Sequence, residues 1–77
     1  MNYDQIIDEI LLYAKTQQQK NRNGEYSITI SGLLKHFEKN SPILDSRPIY
    51  DAINEIDARG WLLQRDSSTL VFDPAAF

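Results

Sequence analysis

The stretch SRPIYDAINEIDARGWL, residues 46–62, decides how this chain folds, and it opens with the signals of a helix start. Asp45 and Ser46 are residue types whose side chains accept hydrogen bonds from the first turn of a helix. Pro48 fits that turn because its missing amide hydrogen would have no partner there. The apolar residues then recur every three or four positions, which predicts one buried stripe: Ile49, Ala52, Ile53 and Ile56.

The end of this helix is marked as clearly as its start. Arg59 is a basic residue in the last turn, and Gly60 suits the left-handed conformation that follows a helix, so we predict a helix over 46–59. After it come two strand-like runs, 61–65 and 69–73, which flank a polar turn of hairpin length, 66–68. The last residues, 74–77, are expected to be loose.

A first helix is predicted over 3–18, beginning at Asn2 or Asp4. Its apolar residues lie three or four positions apart and form one stripe: Tyr3, Ile6, Ile7, Ile10, Leu11 and Ala14. The polar run 17–24 has no periodicity and ends in Asn-Gly, which is typical of a frayed helix end and a loop.

A short strand and a second helix follow this loop. Residues 26–30 alternate large apolar and hydroxyl side chains, as a half-buried strand does. Ser31 is the expected cap of a helix that runs through Asn40 and buries Leu33, Leu34 and Phe37. Pro42 ends that helix, and the next two residues, Ile43 and Leu44, are expected to plug the core.

The composition is that of a small globular domain. The 77 residues are 42% apolar and 25% charged, enough for one core and too few for two. The chain has no cysteine and one histidine, so it lacks the partners of a disulfide and the ligands of a structural zinc site. No apolar run has the length of a membrane span. We therefore expect one cytoplasmic domain over 1–77, with its core in about 3–73 and without a metal, cofactor or membrane partner.

The order of the predicted elements is helix, strand, helix, helix and a two-stranded hairpin. In this order, and in the polar cap, apolar-aromatic pair and glycine of 46–62, the chain resembles the winged-helix family. The resemblance covers about residues 3–73 and implies a mostly α fold with a small β wing, in the order α-β-α-α-β-β. Such a fold is physically consistent, because the glycine lets the chain reverse so that the hairpin covers the remaining apolar edge.

Winged-helix proteins that read DNA place the third helix in the major groove and the wing against the backbone or the minor groove. The resemblance therefore implies a transcriptional regulator whose contacts with duplex DNA are Ser46, Arg47, Tyr50, Asn54, Arg65 and Lys35. Arg47 suits guanine and Asn54 suits adenine, because each forms paired hydrogen bonds with that base. The alternative for both residues is an ordinary solvated helix surface. The helix over 3–18 would supply a homodimer face for two half-sites.

Charge opposes the DNA interpretation. Residues 45–60 contain four acidic residues and two arginines, a balance of −2, and the whole chain carries −3. DNA affinity depends on basic side chains that neutralise phosphates. The compensating feature is a basic edge, for which the alternative is an ordinary solvated surface: Lys15, Lys20, Arg22, Lys35 and Lys39. The second hypothesis is a protein-contact module, an adaptor or inhibitor whose acidic third helix or wing edge strand binds a protein partner.

Catalysis is not expected from this sequence. His36 has no cysteine or activated serine with which to form a nucleophile–base pair, and it is interpreted as a surface or cap-proximal histidine. The carboxylates of the third helix lack the spacing of a calcium loop. Trp61 is assigned to the junction between core and wing. The alternative is an exposed apolar patch of Trp61 and Phe72 on the outer wing face, which would indicate a protein partner.

Overall fold

The computed structural model of this chain describes residues 2–17, 25–40 and 45–77. Within these ranges the chain is mostly helical with a small antiparallel sheet, as predicted. In order, the elements are α1 (Tyr3–Thr16), β1 (Tyr26–Thr29), α2 (Ile30–Asn40), α3 (Arg47–Ala58), β2 (Leu62–Arg65), β3 (Thr69–Phe72) and a 3-10 turn (Pro74–Ala76). The predicted loop over 18–24 and the predicted core contacts of Ile43 and Leu44 lie outside the described residues.

α1 begins where its first residues satisfy each other's free amide groups. The Asn2 Oδ1 atom accepts a hydrogen bond from the Gln5 backbone N–H at 2.9 Å, and the Gln5 Oε1 atom accepts one from the Asn2 N–H at 2.9 Å. Asn2 rather than Asp4 is therefore the N-cap. The helix ends at Thr16, two residues before the predicted end.

α2 starts at Ile30, two residues earlier than a cap at Ser31 predicts, and β1 ends at Thr29. The predicted cap, Ser31, is wrong, because the Thr29 Oγ1 atom accepts the hydrogen bond from the Gly32 N–H at 3.1 Å. Thr29 still has the non-helical backbone that an N-cap needs, whereas Ser31 already lies inside the helix. Gly32 is closely packed, and a Cβ atom there would lie 2.8 Å from the Tyr13 hydroxyl oxygen.

The predicted third helix is confirmed as α3, with Ser46 and Arg59 as its caps. The Ser46 side chain makes no capping bond; instead the Asp45 Oδ1 atom accepts a hydrogen bond from the Arg47 N–H at 3.0 Å. After the helix, Gly60 has a φ of 78°. This left-handed conformation costs other residues about 1–2 kcal/mol, which explains why a glycine turns the chain into the hairpin.

The predicted hairpin is confirmed, and it joins β1 in a three-stranded antiparallel sheet of order β1-β3-β2. The central strand, β3, pairs with β1 in regular register, with Tyr26 opposite Phe72. Its pairing with β2 is interrupted by a bulge between Leu62 and Gln64. The hairpin is thus anchored to the helical part of the chain through β1, which leads directly into α2.

One core lies between the helices and one face of the sheet. Burying each large apolar side chain stabilises the fold by about 1.5–3 kcal/mol. Because the apolar stripe of α3 faces this core, its opposite side lies at the surface. The buried residues are Ile6, Ile7, Ile10, Ala14, Ile28, Ile30, Leu33, Phe37, Ile49, Ala52, Ile53, Ile56, Leu70 and Phe72.

The C-terminal part of the chain settles two expectations. Phe72 is fully buried, so the alternative of an exposed patch of Trp61 and Phe72 is wrong. Trp61 is half-buried and packs against the core, as assigned. Residues 74–77, expected to be loose, form a 3-10 turn instead. The Phe77 ring lies 4.6 Å from the Tyr26 ring, and this aromatic contact explains why the turn is ordered.

Candidate functional site

The N-terminal half of α3 is exposed on the side opposite its buried stripe. We call this surface the α3 face, and it consists of Ser46, Arg47, Tyr50, Asp51 and Asn54, all of them exposed. The first turn of α3 contains no acidic residue, and the positive end of the helix dipole lies there. In the described part of the chain no carboxylate forms a salt bridge with Arg47. The Asp45 carboxylate already accepts the Arg47 N–H at this end, so the Arg47 guanidinium is the group left to attract a further anion.

The turn between β2 and β3 is organised by one carboxylate. The Asp66 Oδ1 atom accepts hydrogen bonds from the Ser68 and Thr69 backbone N–H groups, each at 2.8 Å, and from the Ser68 hydroxyl at 3.0 Å. These bonds, led by that of the Ser68 N–H, hold the pKa of the Asp66 carboxyl below its ordinary value of 3.8. The turn therefore keeps its shape through its own hydrogen bonds.

An open groove of about 380 Å³ lies between this turn and α3. Its lining combines apolar side chains from the two helices with polar side chains from the hairpin: Ile30, Tyr50, Ile53, Arg65, Asp66 and Ser67. Tyr50 belongs both to the groove and to the α3 face. The α3 face and the hairpin turn are therefore parts of one continuous surface.

Two of the predicted DNA contacts are bonded to each other. Arg65 is the only basic residue of the hairpin, and its Nη2 atom donates a hydrogen bond to the Asn54 Oδ1 atom at 2.6 Å. Its Nη1 atom donates to the Asp57 Oδ2 atom at 3.2 Å. The guanidinium therefore fastens the hairpin to α3, and its charge is partly neutralised there.

A second ion pair lies at the end of α3. The Arg59 Nε atom donates to the Glu55 Oε2 atom at 3.0 Å, and the Arg59 guanidinium lies 5.1 Å from the centre of the Trp61 ring. With Asp57 bound by Arg65, both carboxylates in the C-terminal half of α3 have an arginine partner.

Lys35 and His36 are separate from this surface. Lys35 is exposed on α2 but does not line the groove. The sequence predicts a surface or cap-proximal histidine at position 36; His36 is half-buried between α1 and α2, and the Asn40 side chain at the end of α2 donates to its carbonyl oxygen at 3.1 Å. Its Nε2 atom lies 2.7 Å from the Glu9 Oε1 atom, and its ring lies 4.6 Å from the Tyr13 ring. We regard it as a link between the two helices.

Asp66 and Ser67 of the turn are not predicted as parts of this surface, and the ion pair of Asp57 is not predicted either. For the turn a signal exists, because an aspartate followed by hydroxyl residues is typical of a turn in which the carboxylate binds backbone amides. For Asp57 there is none, since its partner Arg65 lies in another element.

Other kinds of site are not found in residues 2–17, 25–40 and 45–77. These ranges hold no group of three or more histidine, cysteine, aspartate or glutamate side chains placed to bind a metal ion. Nor do they contain a helix with the length and apolar character required to cross a membrane. No family model matches the chain, and no curated protein or solved structure matches it either.

Proposed function

We propose that this chain is a winged-helix domain that binds duplex DNA and acts as a transcriptional regulator, with α3 as the recognition helix and the β2–β3 hairpin as the wing. The observation that carries the proposal is the continuous exposed surface formed by the α3 face and the hairpin turn. The element order supports it, and so does the hairpin that Arg65 holds beside α3, because DNA-reading winged helices present these two elements together.

The N-terminal half of α3 supplies the DNA contacts in this proposal. Arg47 has no salt-bridge partner among the described residues and suits a guanine edge or a phosphate. The Ser46 hydroxyl makes no capping bond, and the exposed Tyr50 hydroxyl can donate to a phosphate. Lys35 lies on α2 outside this surface, and in this proposal it contacts the flanking phosphate backbone.

Asn54 and Arg65 have a different role from the one that the sequence suggests. Paired hydrogen bonds to adenine require both the oxygen and the nitrogen of an asparagine amide. The Arg65 guanidinium already occupies the Asn54 oxygen, so we assign both residues to fixing the angle between wing and helix. Their pairing also reduces the electrostatic penalty of the acidic α3, because Asp57 is neutralised by the same arginine.

The test is binding to a fluorescent duplex of random sequence at about 50 and 200 mM salt. We expect binding at low salt that weakens as salt increases. Arg47→Gln should weaken it, and Asp51→Asn should strengthen it, because the two variants change the charge of the same exposed face in opposite senses. Absence of any salt-dependent binding at the lower salt concentration would exclude the proposal.

The second candidate is a module that binds a basic protein surface through α3. It is favoured by a specific observation: no salt bridge to Asp45 or Asp51 is formed by the described residues, while the hairpin's arginine is already bound. Polylysine is the probe for this candidate. Asp51→Asn discriminates between the two, since the loss of a negative charge weakens binding to polylysine and strengthens binding to DNA.

A further inference from the structure

On the side of α1 that faces away from the core, an exposed leucine lies between an acidic and a basic side chain. At spacings of four and three residues, Asp8, Leu12 and Lys15 lie along one line of the helix, opposite the buried stripe. Leu12 is 54% exposed, which is the highest exposure among the large apolar side chains of the described chain. Neither Asp8 nor Lys15 forms a salt bridge with another described residue. The neighbouring Glu9, in contrast, is bound to His36.

These three residues are arranged symmetrically along the helix. Asp8 and Lys15 lie on opposite sides of the point midway between residues 11 and 12, each about 5 Å from it at 1.5 Å per residue. Leu12 lies about 1 Å from that point. A two-fold axis through it would place an antiparallel second copy of α1 so that Asp8 faces the partner's Lys15 and the two Leu12 side chains meet. An interface between identical subunits requires this self-complementarity.

We propose that the outward side of α1 is a homodimer interface, in which two α1 helices pack antiparallel with Leu12 at the centre and two Asp8–Lys15 ion pairs beside it. Charge complementarity selects a second copy as the occupant, because each ion pair is repeated by the symmetry. The contact is one helix wide, so the dimer is weak and dependent on concentration. The ion pairs are exposed, so it also weakens as salt increases. The proposal is independent of DNA binding.

The test is sedimentation equilibrium of the full chain without DNA, from dilute solution to the highest attainable concentration. We expect a monomer–dimer equilibrium. Asp8→Lys and Lys15→Asp should each weaken the dimer about tenfold, because each turns two attractive pairs into two repulsive ones. The double variant carrying both changes should restore the dimer, because it exchanges the two charges.

A matched pair of leucine variants locates the interface. Leu12→Glu should abolish the dimer, whereas Leu63→Glu should not, although Leu63 on β2 is 52% exposed and thus nearly as accessible. All the substituted positions are exposed, and far-UV circular dichroism confirms that each variant is folded. A monomer at every concentration would overturn the proposal. So would a double variant that fails to recover, or a dimer lost with Leu63→Glu and kept with Leu12→Glu.

Discussion

The two halves of α3 belong to one helix, yet their charged side chains are used in different ways. In the C-terminal half, Glu55 is bound by Arg59, and Asp57 is bound by Arg65 of the hairpin. In the N-terminal half, Arg47 and Asp51 form no salt bridge with another described residue. The difference shows that net charge is a poor guide to this helix, because the charges of its C-terminal half are paired, one of them with the hairpin, and those of its N-terminal half are not.

The largest expected effect tests whether the α3 face is free of the core contacts that the buried stripe of α3 makes. Ile56 is 1% exposed in the core, so Ile56→Ala should lower the free energy of unfolding by about 2–5 kcal/mol. Tyr50→Ala, in the N-terminal half, should lower it by less than about 1 kcal/mol, because that ring is 39% exposed. Urea unfolding measures both. If the two losses were equal, the α3 face would be part of the core.

A second prediction compares the two arginines of α3 in DNA binding. Arg47→Gln should weaken binding by about 1–3 kcal/mol and reduce the slope of log affinity against log salt by about one. Arg59→Gln removes the same charge from the same helix, but from a side chain already paired with Glu55, and should leave the slope unchanged. The measurement is fluorescence anisotropy across a salt series. Equal changes in slope would mean that DNA does not distinguish the two halves.

The helices and the hairpin were largely predictable from the sequence. The apolar spacings of the helices and Gly60 depend on neighbours within one or two turns, so α3 and the hairpin could be assigned from local signals alone. The error at Ser31 was local too. Either residue can cap a helix, and the pairing of β1 with β3 placed Thr29 at the cap position.

The surface was less predictable, because its contacts join distant parts of the chain. Arg65 meets Asn54 across 11 residues, and His36 meets Glu9 across 27. Which face each side chain presents to the other depends on the packing of whole elements. The sequence could therefore identify Asn54 and Arg65 as surface residues able to contact DNA, but it could not show that they bind each other.

A third prediction concerns the ion pair between the C-terminal half of α3 and the hairpin, which the N-terminal half lacks. Asp57→Asn removes the charged partner of Arg65, whose Nη2 atom keeps its hydrogen bond to Asn54, and it should lower stability by less than about 1 kcal/mol because the pair is exposed. The charge of the Arg65 guanidinium is then no longer paired, so it should attract a phosphate and increase the salt slope of DNA binding by about one.

Asp51→Asn is the matched control for this prediction. It makes the same charge change on the same helix without leaving an arginine unpaired, so it should strengthen binding without increasing the slope. Adding Arg65→Gln to Asp57→Asn should remove the increase in slope. If the slope still increases without Arg65, the Arg65 guanidinium is not the group that contacts the phosphate.

The smallest expected effect concerns the hairpin turn. This turn lies beside the N-terminal half of α3 but keeps its shape through its own hydrogen bonds. The pKa of Asp66 is lower in the folded chain than the ordinary value of 3.8, because the N–H groups of Ser68 and Thr69 bind the ionised carboxylate. The ionised form therefore stabilises the fold above pH 3.8, and this stabilisation is lost as the pH falls through the folded pKa.

The amide proton shifts of Ser68 and Thr69, followed by NMR, should titrate with a midpoint below 3.8. In Asp66→Asn, whose side-chain oxygen accepts the same bonds but does not ionise, they should not titrate in this range. A midpoint at or above 3.8 would mean that the carboxylate does not organise the turn. The position of the hairpin turn would then depend on the bonds of Arg65 to Asn54 and Asp57. The contacts that hold the hairpin on α3 would in that case fix part of the surface that we assign to DNA.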